Sequence, residues 1–162
     1  MLGEIEGETG IVVADLEAGI GTVLRMSPGT ADVVLVVAEP SAKAIDVAAR
    51  AARVAGRRGD RVVVLANRLR ADADLEAIRA KLGDHELVPI PEDPAITLAD
   101  RDGLAPIDID EDSPAVRTLV ELARRLVAES DGKDSAVKAE NGQAAGNGQA
   151  VAGSVENEKA GG

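Results

Sequence analysis

With 162 residues, a formal net charge of −11, 45% apolar residues, no aromatic residue and no cysteine, the chain has room for one compact domain packed from Val, Leu, Ile and Ala. The missing cysteines exclude disulfides, thiolate metal sites and a cysteine nucleophile, and they point to the reducing cytoplasm. Negative charge argues against nucleic-acid partners, and with no apolar run near roughly 20 residues and no signal-like start, no membrane association is expected.

Residues 1–10 read as a short lead. Residues 11–14 (IVVA) then form an apolar run that ends at Asp15, and residues 33–38 (VVLVVA) and 62–66 (VVVLA) are longer runs of the same kind. Their β-branched content and lack of alternation predict strands buried on both faces, as a parallel sheet covered by helices requires. Residues 87–90 are a weaker fourth strand.

Between these runs lie helical patterns. One opens at Ser41 after Pro40, carries Ile45, Ala48, Ala52 and Ala55 on one stripe, and ends between Gly56 and Gly59. A second, capped by Asp72 or Asp74, carries Leu75, Ile78 and Leu82 and stops at Gly83. Alternating strands and helices predict right-handed βαβ crossovers, hence an α/β fold with a mostly parallel sheet and flanking helices. The last helix starts at Ser113 with Pro114 in its first position and places Val116, Leu119, Val120, Ala123 and Val127 on one face. Residues 131–162 hold Gly, Ala, Asn, Gln and Glu, with the near-duplicates NGQAAG and NGQAVAG. They read as a disordered tail, so the domain is expected over residues 11–130.

In parallel α/β sheets ligands bind beyond the carboxyl ends of the strands. The first such end, Asp15-Leu16-Glu17-Ala18-Gly19, suits a hydrated magnesium ion at the acid and a phosphate close to the glycine amide. It reads equally as a strand-to-turn signal. The second, Glu39-Pro40-Ser41, starts a helix through its serine. At the third, Asn67-Arg68, the side-chain amide either reads an adenine edge or serves a turn. The fourth, Pro89 to Pro94, is a loop stiffened by prolines.

The order DLEAGI, EPS, NR and PEDPAITLADRDG resembles the distal part of the MinD/ParA ATPases, nearest to the ATPase that matures carbon monoxide dehydrogenase. The resemblance covers residues 11–129. It implies an incomplete P-loop NTPase-like domain binding ATP and Mg²⁺, with Asp15 and Gly19 in a catalytic switch and Asp15 on the magnesium side. Asn67, Arg68, Pro91, Glu92 and Asp93 would then hold adenine.

One departure is decisive for chemistry: no G-x-x-x-x-G-K-[ST] occurs, and the ten residues ahead of residue 11 are too few for it. Without that amide cradle and its lysine, phosphoryl transfer by the chain alone is not expected. The resemblance sets the P-loop strand between the strand ending at Asp15 and the strand at residues 33–38. A split or truncated ATPase would therefore need a P-loop-bearing N-terminal fragment, or a homodimer, as partner. It also implies a client metalloenzyme, although the chain has no thiolate with which to handle a metal. The alternative is a non-catalytic interaction module that keeps the fold.

Other features are weaker. Residues 84–112 hold ten acids against one Arg, whereas basic residues dominate 43–61; these are solvated faces or a dipole that orients a partner. The stretch 108–112 lacks the Gly and Glu of a calcium loop. His85, the only histidine, reads as a turn residue.

Overall fold

The structure, a computed structural model, describes residues 11–16, 21, 27 and 29–146, and from residue 131 onward it describes the backbone alone. Strands β1 (Val33–Ala38), β2 (Arg61–Leu69) and β3 (Glu86–Pro91) form one parallel sheet in that order. Helix α1 (Ala42–Arg57) connects β1 to β2, and α2 (Asp72–Leu82) connects β2 to β3. The α/β architecture with a parallel sheet and flanking helices is thus the one the alternating pattern predicts.

α1 begins where expected. Ser41 stays extended, and its Oγ accepts the Ala44 amide at 3.2 Å, so one of the helix's orphan donors is satisfied. Its buried stripe is Ile45, Ala48, Ala52 and Ala55. Three alanines there let the helix axis come close to the sheet, which compensates for the missing aromatics. Gly59, at φ +85°, reverses the chain into β2.

α2 differs at its start. Ala71 occupies the N-cap position without a side-chain hydrogen bond, and neither predicted acid caps the helix. Asp74 instead accepts the backbone amide of Arg70 at 2.9 Å, ahead of the helix. Ile78 and Leu82 are buried and join Val36, Ala38, Val62, Val64, Ala66 and the α1 stripe in one apolar core.

On the opposite face of the sheet Val63 and Leu65 are buried, but Leu35 and Val37 of β1 are 41% and 57% exposed. Cover on that side therefore reaches β2 and not β1. The strand expected at residues 11–14 does not form: residues 11–16 carry no regular structure, and Ile11, Val12 and Val13 are exposed. A four-residue apolar run holds a strand conformation only when a neighbouring strand completes its hydrogen bonds. None of the three described strands pairs with it.

After β3 the chain forms α3 (Pro94–Asp102), the short α4 (Pro106–Ile109) and α5 (Pro114–Gly146). α5 starts at the predicted proline, but its buried residues up to Leu122 are Ala115, Val116 and Leu122, while Leu119 is exposed. The buried stripe is therefore rotated toward Ala115, because the start of this helix is oriented by the cap described below. Its backbone stays helical through Gly146, past the expected domain end at residue 130. Contacts divide the chain after Ala123 into two units, each compact in itself. The rest of the predicted tail, residues 147–162, lies outside the described residues, as does the lead at 1–10.

Candidate functional site at the carboxyl ends of the strands

The β2–β3 ladder loses its regular register near the end of β2. Ala66 pairs with Pro89 and Leu69 with Pro91, so three steps on β2 match two on β3. The extra residue is a β-bulge at Asn67–Arg68, and Arg68 takes φ +59° there, in the left-handed region that non-glycine residues rarely adopt. The bulge brings the Arg68 guanidinium between two acids from the neighbouring strand ends. Glu39, just after β1, lies 3.6 Å away and Glu92, just after β3, 3.8 Å away. All three strand ends are thereby tied together. These side chains are about half exposed, so each pair contributes only on the order of 0–1 kcal/mol. Glu39, Pro40, Ser41, Arg68, Arg70 and Glu92 enclose a cavity of about 180 Å³.

Arg68 makes a backbone prediction possible. Arg68→Gly is expected to be more stable than Arg68→Ala by roughly 1 kcal/mol, because glycine alone relieves the left-handed strain while both remove the ion pairs. Urea denaturation of the two variants measures the difference, and equal midpoints would show that the bulge is not strained.

Asp93 organises the loop that follows β3. The residue is buried and is the N-cap of α3, its Oδ1 accepting the Ala95 amide at 2.9 Å. Its Oδ2 accepts the Ala115 amide at 3.1 Å, in the first turn of α5. One carboxylate therefore caps two helices, reaching for the second an amide 22 residues away in sequence. Burial pushes its carboxyl up, yet the amides of Ala115 and Ala95 and the Ser113 hydroxyl outweigh burial and hold it below the ordinary value of 3.8. Both oxygens accept backbone amides, so Asp93 positions the loop that starts α3. The Asp93-Pro94 start and the left-handed Gly103 that ends α3 are the cap, first-turn proline and C′ glycine of a helix, a signal already present in the sequence but read there as loop.

Asn67 is half-buried on the last turns of β2, and Leu69, two residues on, pairs with Pro91. Asn67, Arg68, Pro91 and Glu92 therefore share one edge of the sheet. Asp15 stands on the exposed segment 11–16, and no described contact joins it to that edge. Gly19 lies outside the described residues. Among the described residues no group of three or more Asp, Glu, His or Cys side chains could hold a metal ion. Glu39 and Glu92 flank Arg68, so the charge at this edge is largely balanced.

A second, larger hollow of about 520 Å³ lies on the α3–α4 side of the Pro91–Asp93 loop, lined by Pro91, Asp93, Leu98, Ile109, Asp110 and Pro114 among others. Among the described residues no helix is long and apolar enough to cross a membrane.

No family model and no curated protein matches the sequence. Among solved structures, the MinD cell division protein of Aquifex aeolicus is similar with a TM-score of 0.51 at 29% identity, over 61% of this chain and 45% of that one. The chain thus spans less than half the length of that protein. A parallel three-stranded sheet flanked by helices, with its strand ends gathered around a charged edge, has a MinD-like fold of the P-loop ATPase type.

Proposed function

We propose that this chain supplies the base-binding side of an ATP site whose phosphate-binding loop comes from a P-loop-bearing N-terminal fragment, and that it does not hydrolyse ATP by itself. The observation that carries the reading is the gathering of Asn67, Pro91 and Glu92 at the carboxyl edge of a MinD-like sheet. The Asn67 amide offers a paired donor and acceptor to an adenine edge. The Pro91–Glu92 backbone forms a stiff wall beside it, held in place by the double cap at Asp93.

Among the described strands β1 is the outermost on its side of the sheet, and its exposed Leu35 and Val37 leave an apolar face that an added segment would cover. Catalytic steps at Asp15 and Gly19, and magnesium, belong to the completed assembly in this reading. Absence of cysteine favours the cytoplasm, and a homodimer or a client metalloenzyme belongs to the same proposal. In the alternative reading the chain is a non-catalytic interaction module, favoured by the acids at Glu39 and Glu92 that would meet incoming phosphates.

Titration with a fluorescent ATP analogue separates the two. Alone, the chain is expected to bind weakly or not at all. Mixed with a P-loop-bearing fragment of a MinD-type ATPase, it is expected to bind saturably, and Asn67→Ala to weaken that binding roughly tenfold, the loss of about one well-made hydrogen bond. If the mixture binds no better than the fragment alone, or ATP never raises the melting temperature, the interaction-module reading replaces this one.

A further inference from the structure

The hollow between α3 and α4 has features that the nucleotide reading does not use. Its floor is apolar and stiff: Pro91, Pro94 and Pro114 line it with Ala95, Leu98 and Ile109. Leu98 of this lining is 38% exposed, and Leu104 and Ile107, on the turn after α3 and on α4, are 53% and 50% exposed, so one short helical hairpin carries three large aliphatic side chains at its surface. Its rim is acidic. Glu92 and Asp110 are in its lining, with Asp108 exposed on α4 and Glu111 and Asp112 exposed on the turn between α4 and α5.

Of these acids Glu92 faces Arg68 at 3.8 Å, whereas among the described residues the acids at 108–112 make no such ion pair. Arg101 is bonded to its neighbour Asp102 at 2.7 Å, and Arg117 stands one turn into α5. The walls are fixed in advance, since α3, α4 and α5 each begin with a proline and Asp93 caps the first and last of them. A groove that is already ordered loses little entropy when it is filled.

An apolar floor inside an acidic rim is complementary to one kind of occupant. We propose that the α3–α4 groove docks a basic amphipathic peptide segment of a partner protein, with aliphatic side chains seated over Leu98, Leu104 and Ile107 and Lys or Arg side chains paired with the acids at 108–112. Anionic membrane is the poorer match, because its headgroups would face the same acids. Docking here does not depend on ATP, and it uses the outer side of the Pro91–Asp93 loop.

The test uses the full chain without nucleotide. A synthetic helical Leu/Lys peptide labelled with fluorescein is titrated and read by anisotropy, with a Leu/Glu peptide of the same pattern and phosphatidylglycerol vesicles in parallel. Saturable binding of the Leu/Lys peptide alone is expected. Leu104→Ser with Ile107→Ser should weaken it roughly tenfold at every salt concentration, by loss of apolar contact. Asp108→Asn with Glu111→Gln should mainly flatten its salt dependence. All four positions are exposed, and circular dichroism checks that each variant is folded. Equal binding of the Leu/Glu peptide, preference for vesicles, unchanged affinity in both variants, or no saturation would each overturn the proposal. None of these results bears on ATP binding, so the two readings fail separately.

Discussion

Asp93→Ala is expected to destabilise the protein by roughly 2–4 kcal/mol, because it removes two helix caps at once and leaves the Ala95 and Ala115 amides without acceptors. An ordinary cap substitution costs about 1 kcal/mol. Asp93→Asn retains one carbonyl acceptor and should lose about half as much. Ser113→Ala, which removes only the hydroxyl that accepts the Val116 amide and bonds Asp93, should lose less again. Chemical denaturation of the three variants gives the order directly. If Asp93→Ala is no worse than Ser113→Ala, the double cap does not hold the loop.

The same carboxylate makes a prediction about pH. Its folded value lies below its ordinary value of 3.8, so its contribution is fully present above that value and is lost as pH falls through the lower, folded value. Wild-type stability should therefore decline more steeply than that of Asp93→Asn as pH falls below the ordinary value of 3.8, and the two curves should approach each other in acid. Parallel curves over that window would show that the carboxylate is not stabilised by folding.

Ile78→Ala should have the other large effect. Ile78 is fully buried, at 0% exposure, in the core shared by α1, α2 and the sheet. Removing its side chain leaves a cavity that neighbouring valines and alanines are too short to fill, so the expected cost is about 2–5 kcal/mol. For a domain of this size that lowers the melting temperature by more than about 10 °C. Leu35→Ser, on the exposed face of β1, serves as the contrast and should stay within about 0.5 kcal/mol. Similar losses in the two variants would mean that the open face of β1 is in fact covered, contrary to the packing described.

Much of the fold was legible in particular residues. The run VVVLA is buried on both faces as its composition suggests, VVLVVA forms the expected parallel strand but leaves Leu35 and Val37 exposed, and the spacing of Ile45, Ala48, Ala52 and Ala55 specifies one helical face without reference to the rest of the molecule. Ser41 and Pro114 marked helix starts because capping and a fixed φ are local chemistry. The candidate site was legible only in part: Asn67, Arg68, Pro91 and Glu92 do share a sheet edge, because parallel strands joined by helices bring their carboxyl ends to the same side.

Three outcomes depended on contacts between distant residues. The run IVVA at 11–14 has strand composition, but a strand needs a neighbour to complete its hydrogen bonds, and none of the described strands provides one. The bulge that turns Arg68 toward Glu39 and Glu92 comes from a mismatch in register between β2 and β3, which neither strand contains alone. Asp93 looked like a ligand residue in a proline-stiffened loop. Its second partner, the Ala115 amide, becomes available only once α5 has folded back against the start of α3. Local sequence determines which segments can form helices and strands, whereas the partner that finally satisfies a carboxylate or a strand edge is chosen by tertiary proximity.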